Sequence, residues 1–234
     1  MIRFSALESR GACVAAMSEI ADGDCRLHHE LGIEPRARFF AGCGVDPAHV
    51  ITGKQTHSAN VAVVNESDRG RGGHGGLPAF PETDGLVTNV PALPLVISIA
   101  DCVPVLILDP VHNAIGLVHA GRAGTENSIA YAALEKMRDA FGTRAHDVRA
   151  VIGPSAGPDI YEVSDEMAGE FAALGFPVRG RCIDLWEANA KQLETFGVPR
   201  AQIEITGICT ITSGRFHSHR AHNNGKRNIA LLML

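Results

Sequence analysis

A chain of 234 residues, 45% apolar and 20% charged, has ample material for a packed core, and a net charge of −5 is that of an ordinary soluble protein. No dense Lys/Arg block offers an electrostatic footprint for nucleic acid. The opening MIRFSALESR lacks the apolar core of a signal peptide, and the most apolar stretch, 95–108, is too short for a bilayer, so no membrane partner is expected.

A cytoplasmic location follows from these exclusions, and disulfides are disfavoured there. Cys13, Cys25, Cys43, Cys102, Cys182 and Cys209 show no C-x-x-C spacing, which excludes a zinc ribbon. Most should be small buried hydrophobes.

Residues 1–50 carry few signals. Ser9-Arg10-Gly11 precedes an Ala-rich stretch. His28 and His29 are adjacent, so their rings diverge, and both read as solvated surface. Residues 36–40 read as a short strand and Asp46-Pro47 as a turn. Residues 50–65 alternate and are β-branched, which predicts two strand pieces around Gln55-Thr56-His57. Gly70, Gly72 and Gly75 form a literal G-x-G-x-x-G, but the Leu-Pro-Ala-Phe-Pro that follows cannot open a helix. The dinucleotide fingerprint is excluded and a mobile surface loop is expected.

Asp84-Gly85 leads into a strand at 86–88. The Val/Ile-rich run 95–108 reads as buried on both faces and ends at Asp109-Pro110, and 114–118 is the next strand. Thr125 is a candidate N-cap for a helix whose buried face carries Ile129, Ala130, Ala133, Leu134, Met137 and Phe141, stopped by Gly142. A strand at 148–152 runs into Gly-Pro-Ser-Ala-Gly-Pro. Ser164 caps a helix that ends before Gly175, and Asp184 with Glu187 resembles a capping box for a helix to Phe196. Strands are expected at 203–208 and 228–234. With no internal repeat, linker or regular βαβ rhythm, the expectation is one α+β domain over 1–234, built on a large, mostly buried sheet system.

Polar residues intrude at one place in that apolar framework. The stretch 97–125, ISIADCVPVLILDPVHNAIGLVHAGRAGT, carries Cys102 in its first apolar run and His119 at the end of its second. Joined by His57 from upstream, they would make a three-ligand Cys/His set, which suits a catalytic zinc with one open position. The same residues also fit a Cys nucleophile activated by His. Copper binds imidazole and thiolate too, but a blue or multicopper site needs more ligands, and His217-x-His219 stands alone.

The ordered set Gln55-Thr56-His57, Thr83-Asp84-Gly85-Leu86-Val87-Thr88, Ala100-Asp101-Cys102-Val103-Pro104, Val118-His119-Ala120-Gly121, Ile152-Gly153-Pro154-Ser155, Tyr161-Glu162-Val163, Asp184-Leu185, Cys209-Thr210 and Ser218-His219-Arg220 resembles the laccase-domain family. That family is also called multicopper polyphenol oxidoreductase and is associated with purine nucleoside phosphorylase activity. The resemblance implies a zinc site of His57, Cys102 and His119, with copper the lesser alternative. It implies phosphorolysis of adenosine, inosine and methylthioadenosine, with adenosine deamination alongside. Its fold would resemble the cytotoxic-necrotizing-factor-like catalytic domain, with mixed β-sheets stacked and helices outside. The partners would be a small-molecule nucleoside and phosphate, on a monomer or weak homodimer.

Beside Cys102 and His119, Asp84 and Asp101 are the candidate proton carriers, and Arg10, Gln55, Arg122 and Arg220 the candidate substrate contacts. The sequence departs from the family pattern where Arg122-Ala123-Gly124 replaces the usual Trp-Arg-Gly, where Arg220 is followed by Ala221 instead of a second Arg, and where Phe216-His217 replaces an aromatic pair. Two other readings stay open: a Cys102-His119 hydrolase or amidase on a peptide-like substrate, and a catalytically reduced paralogue that binds metal or nucleoside without turnover.

Overall fold

Alternation along the strands decides the architecture. The computed structural model describes residues 1–27, 29–73 and 76–234. The first half contains β1 (Ile2–Arg3), α1 (Ser5–Glu8), β2 (Val14–Met17), α2 (Ile33–Gly42), β3 (Val61–Val63), β4 (Gly85–Thr88), β5 (Leu95–Ile99), β6 (Val103–Asp109) and β7 (Ala114–Ala120). The second half contains α3 (Arg122–Glu126), α4 (Ile129–Phe141), β8 (Arg149–Ile152), α5 (Asp165–Ala173), β9 (Val178–Arg179), β10 (Cys182–Ile183), α6 (Leu185–Phe196), β11 (Ile203–Ile205), α7 (His219–His222) and β12 (Asn228–Met233). None of the described helices is long and apolar enough to cross a membrane.

Two sheets stack. One has the order β1-β2-β12-β5 and is antiparallel throughout; the other runs β11-β8-β6-β7-β4-β3, with parallel pairs only at its two edges. In β6, Leu106 and Leu108 face the first sheet and pack with Ile97, Ile99 and Leu232. Their neighbours Val105 and Ile107 face the other way, against Ile129, Ala133 and Met137 of α4 and Leu193 of α6. The period of two sends successive side chains into different cores, so every residue of β6 is buried. A third cluster joins Val14, Ala16, Val96 and Leu231, on the outer face of the smaller sheet, to Phe39 and Phe40 of α2. The layers are helix, sheet, sheet, helix, and the α+β expectation of mixed sheets with outer helices is met.

Several local expectations give way. The run 95–108 is two strands in two different sheets, broken at 100–102, where Asp101 takes a left-handed φ of 81°. Residues 36–40 are helical, not extended: Arg36, Phe39 and Phe40 fall on one helical face and are buried together, and Pro35 sits in the first turn, where a missing N–H costs nothing. Thr125 does not cap α4. It lies buried within α3, accepts a bond from Asn189 Nδ2 at 3.0 Å, and leaves Ser128 (φ 60°) as the residue preceding α4. The strand pieces around Gln55 reduce to β3 and isolated bridges at Ile51 and Gly53, and 203–208 shortens to β11. Ser164 caps α5 as expected, its Oγ accepting from Met167 N at 3.2 Å. At α6 only half of the capping box forms: Asp184 Oδ1 accepts from Glu187 N at 2.9 Å, but Asp184 N donates to Pro177 O and the Glu187 carboxylate is taken by Arg200. His28 and Gly75, of the histidine pair and the glycine motif, lie outside the described residues.

Candidate metal centre

The break between β5 and β6 carries the chain from one sheet to the other and leaves Cys102 at the open end of the space between them. His119 comes from the end of β7, on the face it shares with Ile115 and Leu117. His57 comes from the loop before β3, in a left-handed conformation (φ 61°) that is rare outside glycine. Donor atoms of the three lie within 4.8 Å of one another, and the two imidazole rings are 5.0 Å apart, edge to face.

Asp84 holds this arrangement. Its Oδ1 accepts from His57 N at 3.0 Å and lies 2.8 Å from His119 Nδ1; its Oδ2 accepts from Thr56 N (3.0 Å), Ser58 N (2.9 Å) and Ser58 Oγ (2.8 Å). A carboxylate offers about four lone-pair sites, so this one is saturated. Burial alone would raise its pKa, but the His119 ring and the amides hold the carboxyl far below the usual carboxylate range. Each of these bonds holds a candidate ligand or its loop, so the geometry gives Asp84 a positioning part. Its bond to Nδ1 fixes the His119 tautomer and leaves Nε2 as the donor facing the cluster, the carboxylate–histidine pairing common behind metal ligands.

Asp101 is engaged in the same way. Oδ1 accepts from Thr210 Oγ1 at 2.6 Å, and Oδ2 from Ser218 Oγ at 3.0 Å and Arg220 N at 2.7 Å. It ties the C-terminal His219-Arg220 turn to the site.

Burial pushes the Cys102 thiol up, yet the two adjacent imidazoles outweigh it and bring the pKa down to about 6. Burial pushes His119 down, and the neighbouring Cys102 and Asp84 reverse this, to about 9. His57 is raised, chiefly by its hydrogen bond with Cys102. The site stabilises a thiolate between imidazoles, which is the donor chemistry of zinc. Gly121 closes the cradle: a Cβ there would stand 2.8 Å from His57 Cδ2 and 3.0 Å from Cys102 Sγ. The residues fit a metal ion held by His57, Cys102 and His119.

Around these side chains opens a cavity of about 850 Å³, lined in part by Lys54, Tyr161, His219, Arg220 and Arg227, at the upper end of volumes seen for small-molecule sites. Arg220 lies over the Tyr161 ring, 5.1 Å from its centroid, and donates to Glu162 O at 2.9 Å. Arg122 lines the cavity but is held by both carboxylate oxygens of Glu126 at 2.6 and 2.7 Å. Gln55 lines it too, with its amide consumed by the backbone of Ser98 (2.9 and 2.7 Å), so it braces β5. Arg10 is not brought here. It lines a separate hollow with Arg149 and Glu204, and Arg149 pairs with Leu108 at the far end of β6 from Cys102. Sequence reasoning missed Lys54, Tyr161, His219 and Arg227 as lining residues. Tyr161 and His219 stood inside the resembling motifs; Lys54 and Arg227 carried no signal.

The family description "Multi-copper polyphenol oxidoreductase laccase" matches residues 29–234. Among curated relatives, a protein named purine nucleoside phosphorylase from Bacteroides thetaiotaomicron is 37% identical over 74% of this chain and 67% of its own length. Purine nucleoside phosphorylase YlmD from Bacillus subtilis is 34% identical over 71% of this chain, and the match spans 63% of that relative. Among solved structures, YlmD from Geobacillus stearothermophilus superposes with a TM-score of 0.87 at 27% identity, covering 95% of this chain and 92% of that one. The YfiH protein of Bacillus licheniformis gives 0.84, also at 27% identity, covering 94% and 92%.

Proposed function

This chain belongs to the multi-copper polyphenol oxidoreductase laccase family, and from that premise we propose that it is a zinc-dependent enzyme of purine nucleosides. The observation that carries the reading is the convergence of His57, Cys102 and His119 on a cavity of nucleoside size with cationic side chains on its wall. The names of the relatives supply the substrate class. The proposed reactions are phosphorolysis of adenosine, inosine and methylthioadenosine, and deamination of adenosine. Residues 1–234 are taken as one catalytic domain.

A zinc ion held by the three side chains would supply Lewis-acid chemistry toward the bound purine nucleoside. The chain's own contribution is placement. Asp84 keeps His119 Nε2 free and the His57 loop in its left-handed turn. Arg220, Arg227 and Lys54 offer charge for a phosphate, and Arg122 could join them only by giving up Glu126. Tyr161, already faced by Arg220, offers an aromatic edge to the base.

The test pairs metal analysis of the purified protein with chromatography of products from adenosine, with and without phosphate. Zinc together with phosphate-dependent adenine release is the expected result, with inosine marking deamination. Cys102→Ala should remove both the metal of this site and the activity; unchanged turnover would overturn the proposal. A second reading, a Cys102 nucleophile, takes support from a thiol brought down to about 6 between two imidazoles. Retained Cys102-dependent hydrolysis in metal-stripped protein would favour it. Bound zinc with none of adenine, hypoxanthine or inosine formed would favour a catalytically reduced paralogue, consistent with Arg122-Ala123 in place of Trp-Arg. Copper with phenol oxidation would favour an oxidase.

A further inference from the structure

A second hollow, of about 300 Å³, lies behind one wall of the metal-centre cavity, and Leu27 lines both. Ile33 and Phe40 of α2, with Pro47 and Val50 of the turn that follows, give it apolar walls. Gly73 closes another side so tightly that a Cβ there would stand 2.7 Å from Val50 O.

Two charged side chains line this apolar space, Glu30 and Arg36. Arg36 is only 6% exposed. Its Nη1 donates to Arg26 O, and Gly32 makes room for that bond, since a Cβ there would stand 2.4 Å from Nη1. The bond uses one of five guanidinium donors. No carboxylate pairs with Arg36 among the described residues. Asp24 is close enough to act on it through space, but its oxygens are held by Arg26 Nε (2.6 Å) and by the amides of Arg26 and Arg227 (3.2 and 3.1 Å). His28, His74 and Gly75, outside the described residues, carry no acid. Buried charges are ordinarily paired, so an unpaired guanidinium on the wall of an open hollow marks where an anion belongs. Glu30 is exposed and makes no ion pair among the described residues either. The two line one hollow without meeting, which leaves a gap for a molecule that carries both charges.

We propose that this hollow binds an α-amino acid with an apolar side chain, its carboxylate on Arg36, its ammonium toward Glu30 and its side chain against Ile33, Phe40 and Val50. A guanidinium matches a carboxylate through two parallel bonds. A phosphate dianion fits worse, because Glu30 repels it and the apolar walls offer it no further donors. The site shares only Leu27 with the metal-centre cavity and stands without any reading of the chemistry there.

The experiment is calorimetric titration of the full chain with L-leucine, with 4-methylpentanoate (leucine without its amine) and with 3-methylbutylamine (leucine without its carboxylate). Leucine should bind, and each analogue should bind at least about tenfold more weakly, for the loss of one charge-assisted contact. Glu30→Gln should weaken leucine at least about tenfold and should not weaken 4-methylpentanoate. Arg36→Met should abolish leucine binding in a protein shown to be folded by circular dichroism; Glu30→Gln, at an exposed position, spares the fold and keeps the test open if Arg36→Met does not. Cys102→Ala should bind leucine as wild type does. No binding of leucine, equal binding of leucine and 3-methylbutylamine, a Glu30→Gln variant with wild-type leucine affinity, or loss of leucine binding in folded Cys102→Ala protein, which would place the amino acid in the main cavity, would each overturn the proposal.

Discussion

Asp84→Asn separates a positioning carboxylate from a proton carrier. The substitution keeps shape and replaces one acceptor oxygen by an NH2. Three donors converge on Oδ2 and two on Oδ1, so the remaining oxygen is best kept at the Oδ2 place, with the amide nitrogen facing His57 N and His119 Nδ1. The His57 amide then meets a donor and loses its charge-assisted bond. That costs about 1.5–3 kcal/mol, and the removed charge weakens the bonds that remain. His119 can adapt, but only by moving its proton to Nε2 so that Nδ1 accepts from the new amide, and this removes the lone pair aimed at the metal. The metal-free variant should unfold at lower urea concentration, by about 2–4 kcal/mol. Its zinc affinity should fall by at least 10- to 100-fold, as when other carboxylates that orient a metal-bound imidazole are removed. Urea titration of stripped protein and competition against a chromogenic chelator read the two effects separately. Wild-type zinc affinity in a folded Asp84→Asn protein would refute the reasoning, because no tautomer of His119 then depends on Asp84.

Gly121→Ala places a methyl 2.8 Å from His57 Cδ2 and 3.0 Å from Cys102 Sγ; zinc affinity should drop at least tenfold in a protein that still folds, and an unchanged affinity by chelator competition would show that the cradle has slack. Acid should destabilise the protein. Burial alone would raise Asp24, Asp84 and Asp109, but Arg26, His119, and the Thr143 hydroxyl with the His112 amide respectively help to hold them low. A folded pKa below the unfolded one means stability present above roughly pH 4 and lost as pH falls through the folded values, so the urea midpoint should decline steadily from about pH 5 to pH 2, and a flat midpoint would contradict the assignment. Gln192→Leu strands two buried groups, Ala130 N (3.1 Å from Oε1) and Thr125 O (2.7 Å from Nε2), and should cost about 2–4 kcal/mol in urea unfolding; a neutral result would return the capping of α4 to Thr125.

Legibility in the sequence followed how local the physics was. Gly142, Gly175 and Gly197 end helices through left-handed φ values of 79°, 78° and 110°, and a glycine after an amphipathic run announces that by itself. The β6–β7 hairpin was legible for the same reason, two apolar runs around a short polar turn. The break at 100–102 was hidden because both faces of the larger sheet are covered, so alternation never exposes a polar side and 95–108 reads as one run; its only mark was Asp101. Residues 36–40 misled because Arg-Ala-Arg-Phe-Phe alternates over a window too short to separate periods of 2 and 3.6, and only the buried set Arg36, Phe39 and Phe40 decides. Cys102 and His119 stood out as polar residues in apolar strands. His57, in a loop, carried no such mark of its own; it entered as the third member of a Cys/His set, and the resemblance strengthened that place. For Asp84, Asp101 and Gln55 the sequence identified the neighbourhood but not the role, because saturation of a side chain by amides far away in the chain leaves no trace in spacing.

The site's location follows from strand register more than from any one motif. β4 pairs with β7 so that Gly85 stands opposite Val118 and Leu86 opposite Leu117. One step beyond the strand, Asp84 stands opposite His119, on the face that Leu86 and Leu117 present to the other sheet. The backbone bond from His119 N to Asp84 O at 2.7 Å seals that pairing, and the side-chain bond follows from it. On the other side of β7, Val103 pairs with Ala120, which leaves Cys102 next to the ring of His119 as the chain crosses between sheets. A slip of one residue in β7 would turn His119 into the helix-facing core and Val118 toward the site. The burial of Val118 and Ala120 against α4 therefore holds the candidate ligands in place: the apolar pattern of the hairpin sets the register, and the register aims the imidazole.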